Sequence, residues 1–328
     1  MRYFTTVLIL FSLACSKREP ATPAAGATPT ESSTATTETA DTPPAPAAEE
    51  GGEEERPAIT LADPGAEPRR VLLRNFAGGA EETMTIRSQV TMIANMGIEG
   101  ERKTVIPPIV HTVALKVQEV RSDGSAIVAF EVVGSEVLSD KEATAAIRDK
   151  MEEGAASIRG LKGTYRFDPQ GVVSDVEITD AATEESRDVH MAESIGEFLY
   201  RSGVPVPSEP AGKGAKWTVK RRLKEGGILV DQTATYELEK SDGSTLVVSL
   251  DVDKSAPPQQ VGSTQPFDLD FFAAEGRGRA EAQLDRLVPG LIASKTQTRI
   301  KMSAAGPSGV TVQTDLTAEA QERVSRPK

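Results

Sequence analysis

From Arg69 onward, apolar residues recur mostly at every second position, the spacing of strands that bury one face. Arg70–Phe76 carries Val71, Leu72 and Leu73. Thr83–Ala94 carries Met84, Ile86, Val90 and Met92, and Ile109–Val120 alternates through Val113, Leu115 and Val117. Ser122-Asp123-Gly124-Ser125 has turn chemistry and Ala126–Val133 follows it, which predicts an antiparallel hairpin. A second hairpin is predicted from Tyr165–Phe167, the turn Asp168-Pro169-Gln170-Gly171 and Val172–Ile178. Lys216–Leu223 and Gly227–Leu238 resume the alternation.

Two stretches change period. Ser139 with Glu142 three residues on forms a capping box, and Ala143, Ile147, Met151, Ala155 and Ile158 then recur at helical spacing, predicting a helix over Ser139–Ile158. A second amphipathic helix is predicted over Ala182–Arg201, with Val189, Ala192, Ile195 and Leu199 on one stripe. The Pro-rich segment Gly203–Pro210 ends it, because proline cannot continue a helix.

The pattern also repeats. Val117-Gln-Glu-Val-Arg-Ser-Asp-Gly-Ser-Ala-Ile-Val128 aligns with Tyr236-Glu-Leu-Glu-Lys-Ser-Asp-Gly-Ser-Thr-Leu-Val247, and Gly171 and Gly290 lie at the same offset. The first predicted helix has no long counterpart after Val252, so the repeated part is a strand-hairpin unit with different inserts. Such a period is too long for a solenoid and implies two packed halves. The expected fold class is therefore mainly β (α+β), with antiparallel curved sheets in two repeated halves, half-barrel or sandwich-like, and two amphipathic helices.

The first residues follow other rules. Arg2 precedes an apolar run from Tyr3 to Ala14 of about a dozen residues, roughly 18 Å as a helix and short of the ~30 Å hydrocarbon core. That is a signal peptide rather than a membrane span. It stops at Ser12-Leu13-Ala14-Cys15, which resembles the lipobox of bacterial lipoproteins, with Ser12 where that family usually has Leu. The resemblance implies that Cys15, the only Cys, becomes the lipidated first residue of the mature protein; an ordinary secretory signal cut elsewhere is the other reading. A thioether-linked diacylglyceryl group and an amide-linked acyl chain would supply the two signals that stable anchoring needs. In proteobacterial lipoproteins Asp after the Cys marks retention at the inner membrane, so Ser16 implies the outer membrane, on its periplasmic or surface face.

Composition sharpens this division. Between Glu19 and Glu67 the chain is rich in Ala, Thr, Pro, Glu and Gly, without an aromatic residue, and such a stretch cannot bury enough apolar surface to offset its ordering entropy. It holds 11 Asp and Glu against Arg56 alone, so most of the formal net charge of -12 belongs to a self-repelling tether. Its acidic run Glu49, Glu50, Glu53, Glu54 and Glu55 reads as solvated charge rather than a cation site. The expected organisation is a signal peptide over 1–14, a lipidated Cys and disordered tether over 15–68, a first β-rich half with both helices over 69–202, and a second over 203–328. The acidic balance also argues against nucleic-acid partners.

Antiparallel strands with helices laid across a curved sheet, on a lipidated tether, further resemble the half-barrel envelope proteins of the LolA, LolB and LppX type, which carry or bind lipids and lipoproteins. The resemblance covers about Arg69–Met302, is one of architecture, and implies a concave apolar face that holds acyl chains. It assigns no ligand-binding residue.

Candidate chemistry is sparse. No Gly-x-Ser-x-Gly elbow occurs, and His111 on a strand and His190 in a helix read as structural. Glu184, Glu185 and Asp188 beside His190 read as a solvated face rather than a metal site. Ala211–Trp217 lacks the strand-to-helix context of a phosphate cradle and reads as a turn feeding a strand, with Trp217 anchoring the second half. Arg277 and Arg279 around Gly278 read as guards of a strand edge. Phe267, Phe271 and Phe272 read either as a cover for the sheet or as a lid over an apolar groove. No catalytic residue, metal or cofactor is expected. The functional expectation is a non-enzymatic, membrane-anchored envelope lipoprotein binding a lipid or other apolar ligand; the alternative is a structural or assembly partner at the cell surface.

Overall fold

A computed structural model describes residues 56–95, 100–179, 189–225, 227–262, 266–305 and 311–327. Its elements are β1 (Ala58–Asp63), β2 (Glu81–Asn95), β3 (Glu101–Val120), β4 (Ala126–Val137), α1 (Ala145–Ser157), β5 (Lys162–Phe167), β6 (Val173–Ile178), α2 (Val189–Ser202), β7 (Lys216–Glu225), β8 (Ile228–Asp242), β9 (Thr245–Ala256), β10 (Gln259–Val261), β11 (Phe267–Gln283), β12 (Leu291–Ala305) and β13 (Thr311–Ser325). The protein is mostly β, with one open antiparallel sheet in the order β1-β7-β8-β9-β11-β12-β13-β2-β3-β4-β5-β6, and β10 added beside β11. The pairing of β13 with β2, from Asp315↔Asn95 to Ser325↔Thr85, joins the early and late strands into a single ladder. No helix among the described residues is long and apolar enough to cross a membrane.

Local chemistry explains the hairpins. In the β3–β4 turn Gly124 takes a positive φ of 81°, and the Asp123 carboxylate accepts from the Ser125 amide at 2.9 Å and hydroxyl at 2.6 Å. The second Ser-Asp-Gly-Ser joins β8 to β9, again with Gly243 at positive φ.

Helix α2 shows how the sheet is shaped. It packs on β6, sets Phe198 against His111 of β3 at 6.3 Å, places Arg201 3.7 Å from Glu322 of β13, and offers its Tyr200 carbonyl to Arg221 of β7. Those strands stand twelfth, ninth, seventh and second in the sheet order. In a flat sheet β7 and β6 would lie about 48 Å apart at ~4.8 Å per strand, whereas the 14-residue helix is about 21 Å long. The sheet therefore curves around α2, and its inner face forms the core.

Two apolar clusters occupy that face. The larger joins β2–β5 and β11–β13 to the helices through residues such as Met84, Val113, Phe130, Phe167, Ile195 and Leu199. The smaller centres on Trp217, fully buried, stacked on Tyr236 at 5.6 Å and donating from Nε1 to the Pro205 carbonyl at 2.9 Å.

Three boundaries depart from the sequence pattern. Ala58–Asp63, which composition places in the tether, is β1, paired with β7, with Ile59 and Leu61 packed on the smaller cluster. Arg70–Phe76 is not a strand. Its alternation is real, since Leu72 and Phe76 are buried while Val71 and Leu73 are exposed. Its amides instead serve separate turns: Arg70 bonds Ala211, Arg74 bonds the Pro169 carbonyl and Asn75 the Leu284 carbonyl. The first helix begins at Ala145 with Thr144 as its cap, rather than at Ser139. Asp140 and Glu142 are used in a local turn and in contacts to Gln89 and Lys103. The second helix is described from Val189; Ala182–Asp188, its predicted start, lies outside the described residues.

The curvature is written in small residues. Ala274, Gly276, Gly278 and Ala280 of β11 face inward beside Ser294, Thr296 and Thr298 of β12 and Ala318 and Ala320 of β13. A Cβ on Gly276 would meet Thr296 Oγ1 at 2.6 Å, and one on Gly278 would meet the Ala293 carbonyl oxygen at 2.8 Å. We predict that Gly278→Val lowers the unfolding free energy by about 1–3 kcal/mol in urea titration. Gly78→Ala, whose added carbon meets nothing within 4 Å, should stay within about 0.5 kcal/mol of the parent.

Candidate functional site

Where the small-residue strands pass beneath the end of α2, the inner face is left with a small cleft that opens to solvent. Its roof is the last turn of α2 and the chain leaving it, from Phe198 to Pro205. Its floor follows the strand register: Val219, Ala234, Val252, Gly276 and Thr296 succeed one another across β7, β8, β9, β11 and β12. Apolar walls of this kind, with a few polar groups, are the usual make-up of a small-molecule site.

The neighbouring cross-strand row is ionic. Arg221, Gln232 and Lys254 sit side by side on β7, β8 and β9, at positions whose parity faces the core. With its amide oxygen turned toward Arg221, Gln232 accepts from Nε and Nη2 at 3.1 Å each. Arg221 Nη1 donates to the Tyr200 carbonyl at 3.3 Å, meeting an acceptor that the end of a helix would otherwise leave open. Lys254 has no exposed side-chain surface and is bonded to Glu225 of β7, itself nearly buried. Burial holds the Lys254 ammonium well below the ordinary lysine range, at about 8; the Glu225 carboxylate pulls it back up, while Arg201 and Arg221 push it down. Roof and floor meet through Arg201, which donates from Nε to the Glu197 carbonyl at 3.1 Å and lies 3.5 Å from the Glu197 carboxylate and 3.7 Å from Glu322.

The residues singled out by the sequence are placed elsewhere. His111 is buried with Nδ1 2.9 Å from the Ser135 hydroxyl. Phe267 and Phe272 pack in the larger core, Phe271 is 44% exposed beyond a bulge in β11, and none of the three lines the cleft. The edge assignment of Arg277 and Arg279 is corrected: β11 is an interior strand, and these residues pair on its outer face with Asp251 at 3.3 Å and Glu239 at 2.9 Å. Gly212–Gly214 forms the turn that feeds β7. Cys15, the acidic run Glu49–Glu55, Glu184, Glu185, Asp188 and the His190 side chain lie outside the described residues. Among the described residues no three His, Cys, Asp or Glu side chains are grouped to hold a metal ion.

The ionic row escaped sequence reasoning although its signal is present. In Trp217-x-Val219-x-Arg221-x-Leu223-x-Glu225 and in Ile228-x-Val230-x-Gln232-x-Ala234, polar residues occupy the apolar parity of the strand. No protein-family model matches the chain, and no curated protein matches it closely enough to count as a relative.

Two outcomes follow for the ion pair. Lys254→Met alone, which leaves Glu225 buried beside no cation of its own, should destabilise the protein by about 3–5 kcal/mol, and adding Glu225→Leu should recover most of that loss in chemical denaturation. Because the folded-state value of Lys254 is depressed, its charge disfavours folding below pH 8, and that penalty fades as pH rises toward the ordinary lysine value of 10.5. Unfolding free energy should therefore rise between pH 8 and 10 in the parent, with the rise absent in the Lys254→Met, Glu225→Leu double variant.

Proposed function

We propose that this chain is a non-enzymatic, membrane-anchored envelope lipoprotein that binds a lipid or other apolar ligand on the inner side of its curved sheet. The observation that carries the reading is the cleft between the end of α2 and the inner face of β7–β13. The lipobox-like Ser12-Leu13-Ala14-Cys15 supports an anchor at Cys15, and Ser16 supports the outer membrane. The half-barrel reading draws on the curvature around α2. The reading of two repeated halves draws on two meanders of one strand order, β2-β3-β4-β5-β6 and β7-β8-β9-β11-β12, each carrying a Ser-Asp-Gly-Ser turn after its second strand.

A second reading, an assembly partner at the cell surface, draws on β6. It stands at the end of the sheet with Ile178 43% exposed, and an open strand edge can pair with another chain.

The carrier reading is tested on the mature chain extracted from envelopes. Native mass spectrometry is expected to recover a bound apolar molecule, and Ser294→Trp, which fills the cleft, should remove both that molecule and uptake of a fluorescent fatty acid. Recovery of the parent without ligand, together with no uptake, would sink the proposal. Cys15→Ala should move the protein from the membrane to the soluble fraction; unchanged sedimentation with membranes counts against lipid anchoring.

A further inference from the structure

The first strand spans the two ends of the curved sheet. β1 stands first in the sheet order and pairs with β7, while Arg56, just before it, donates from Nη2 to the Asp168 carboxylate at 2.7 Å. Asp168 belongs to the turn between β5 and β6, the last two strands of the ladder.

From β1 two routes lead to the chain that roofs the cleft. At its start, Arg56 Nη2 also reaches Gln170 Oε1 at 3.4 Å. Gln170 is bonded twice to Val206: its carbonyl accepts from the Val206 amide at 2.8 Å, and its Nε2 donates to the Val206 carbonyl at 3.3 Å. The chains touch closely here, since a Cβ on Gly171 would collide with the Val204 carbonyl oxygen and one on Gly203 with the Gly171 carbonyl oxygen. Toward the end of β1, Leu61 lies opposite Trp217, whose Nε1 donates to the Pro205 carbonyl at 2.9 Å. Gly203 and Pro205 line the cleft.

What holds β1 itself is slight. It has a strand partner on one side only, Ile59 and Leu61 are half-buried, and Ala58, Thr60 and Ala62 are exposed. The Arg56 side chain is 68% exposed, and an ion pair so placed contributes little. At the other end of the sheet β6 is packed against α2. Elements with few buried contacts open on their own, before the rest of a fold.

We infer that β1 is a releasable strap: it leaves β7 as a unit while the rest of the sheet stays paired, and its release loosens the Gly203–Val206 roof of the cleft. The chain that precedes Arg56 enters the fold through this strap, so a pull on that chain acts on the roof. The inference does not depend on what the cleft holds.

The test is hydrogen exchange on the mature chain, read by mass spectrometry in β1, at the Val206 amide and in β3. In the parent, β1 should be at least about ten-fold less protected than β3. Arg56→Gln should speed exchange in β1 and at Val206 alike, by about two- to five-fold, the range of one exposed ion pair, and leave β3 unchanged. Lys103→Gln, which breaks an exposed pair with Glu142 elsewhere, should move neither β1 nor Val206. Leu61→Ser should raise acrylamide quenching of Trp217, the only Trp, while β3 keeps its protection. If Leu61→Ser does not fold, Arg56→Gln decides. Protection of β1 equal to that of β3 overturns the inference, as does a uniform rise that includes β3, because β1 would then open only with the whole sheet. Faster exchange in β1 without a change at Val206, or no change in either, overturns the coupling to the roof and the strap with it.

Discussion

A long antiparallel sheet has one apolar face, and among the described residues no second sheet lies against it. The rest of the structure depends on how that face leaves water. Here the sheet rolls around α2, bringing β7 and β6, at opposite ends of the ladder, against one short helix. Rolling crowds the inner side, because side chains of neighbouring strands lean together there. Wide residues such as Phe130, Phe167 and Trp217 sit toward the ends of the ladder, on β4, β5 and β7, and Gly276, Gly278, Ala318 and Ala320 occupy its middle. The same small residues leave space beneath the last turn of α2. The cleft is thus a consequence of curvature, placed where the inner face has least to fill it.

A buried cation in the segment between β1 and β2 ties the middle of the ladder to β5, near its end. Arg74 Nη1 donates to the carbonyls of Gln283, the last residue of β11, and Arg286 in the β11–β12 loop, and its guanidinium lies 4.9 Å from the Phe167 ring at the end of β5. Burial draws its proton affinity down to about 10, with Tyr165, Glu82 and Asp168 pulling the other way. Glu82 in turn accepts from the amides of Leu287 and Val288 at 3.1 Å each. Loops far apart in sequence are therefore tied through charge-assisted bonds to backbone, which supply directionality where apolar contacts cannot.

These tertiary ties explain what the sequence could show. Period-two runs located β2 to β8, because alternation is imposed locally by the pleat, but β9 to β13 were not read from the pattern. Arg70–Phe76 alternates equally well, since it too presents one face to a core, but alternation does not say which partner takes the backbone hydrogen bonds. Ala58–Asp63 failed in the opposite way: a six-residue segment with Ile59 and Leu61 is too short and too polar in context to stand out, and β7 supplies the ladder that makes it a strand. The Ser139 cap was outcompeted by Thr144 because Asp140 and Glu142 are engaged by Gln89 and Lys103. For the site, Phe267 and Phe272 were legible as cover, whereas Arg221, Gln232 and Lys254 were hidden by their own parity, each taking a core-facing position that averaging over a strand assigns to an apolar residue.

Fold energetics alone do not require that hidden row. Burying Lys254 with Glu225 exchanges favourable hydration for a pair attraction of similar size, and an apolar pair of the same volume would cover the sheet at least as well. Arg221 does more, since its bond to the Tyr200 carbonyl fixes the last turn of α2 over the strands. The bond from Ser202 Oγ to the Leu199 carbonyl at 2.8 Å closes the same turn. From the same turn Arg201 reaches Glu322 of β13 at 3.7 Å. The ionic groups on the strands thus hold the end of α2 in place over the inner face of the sheet.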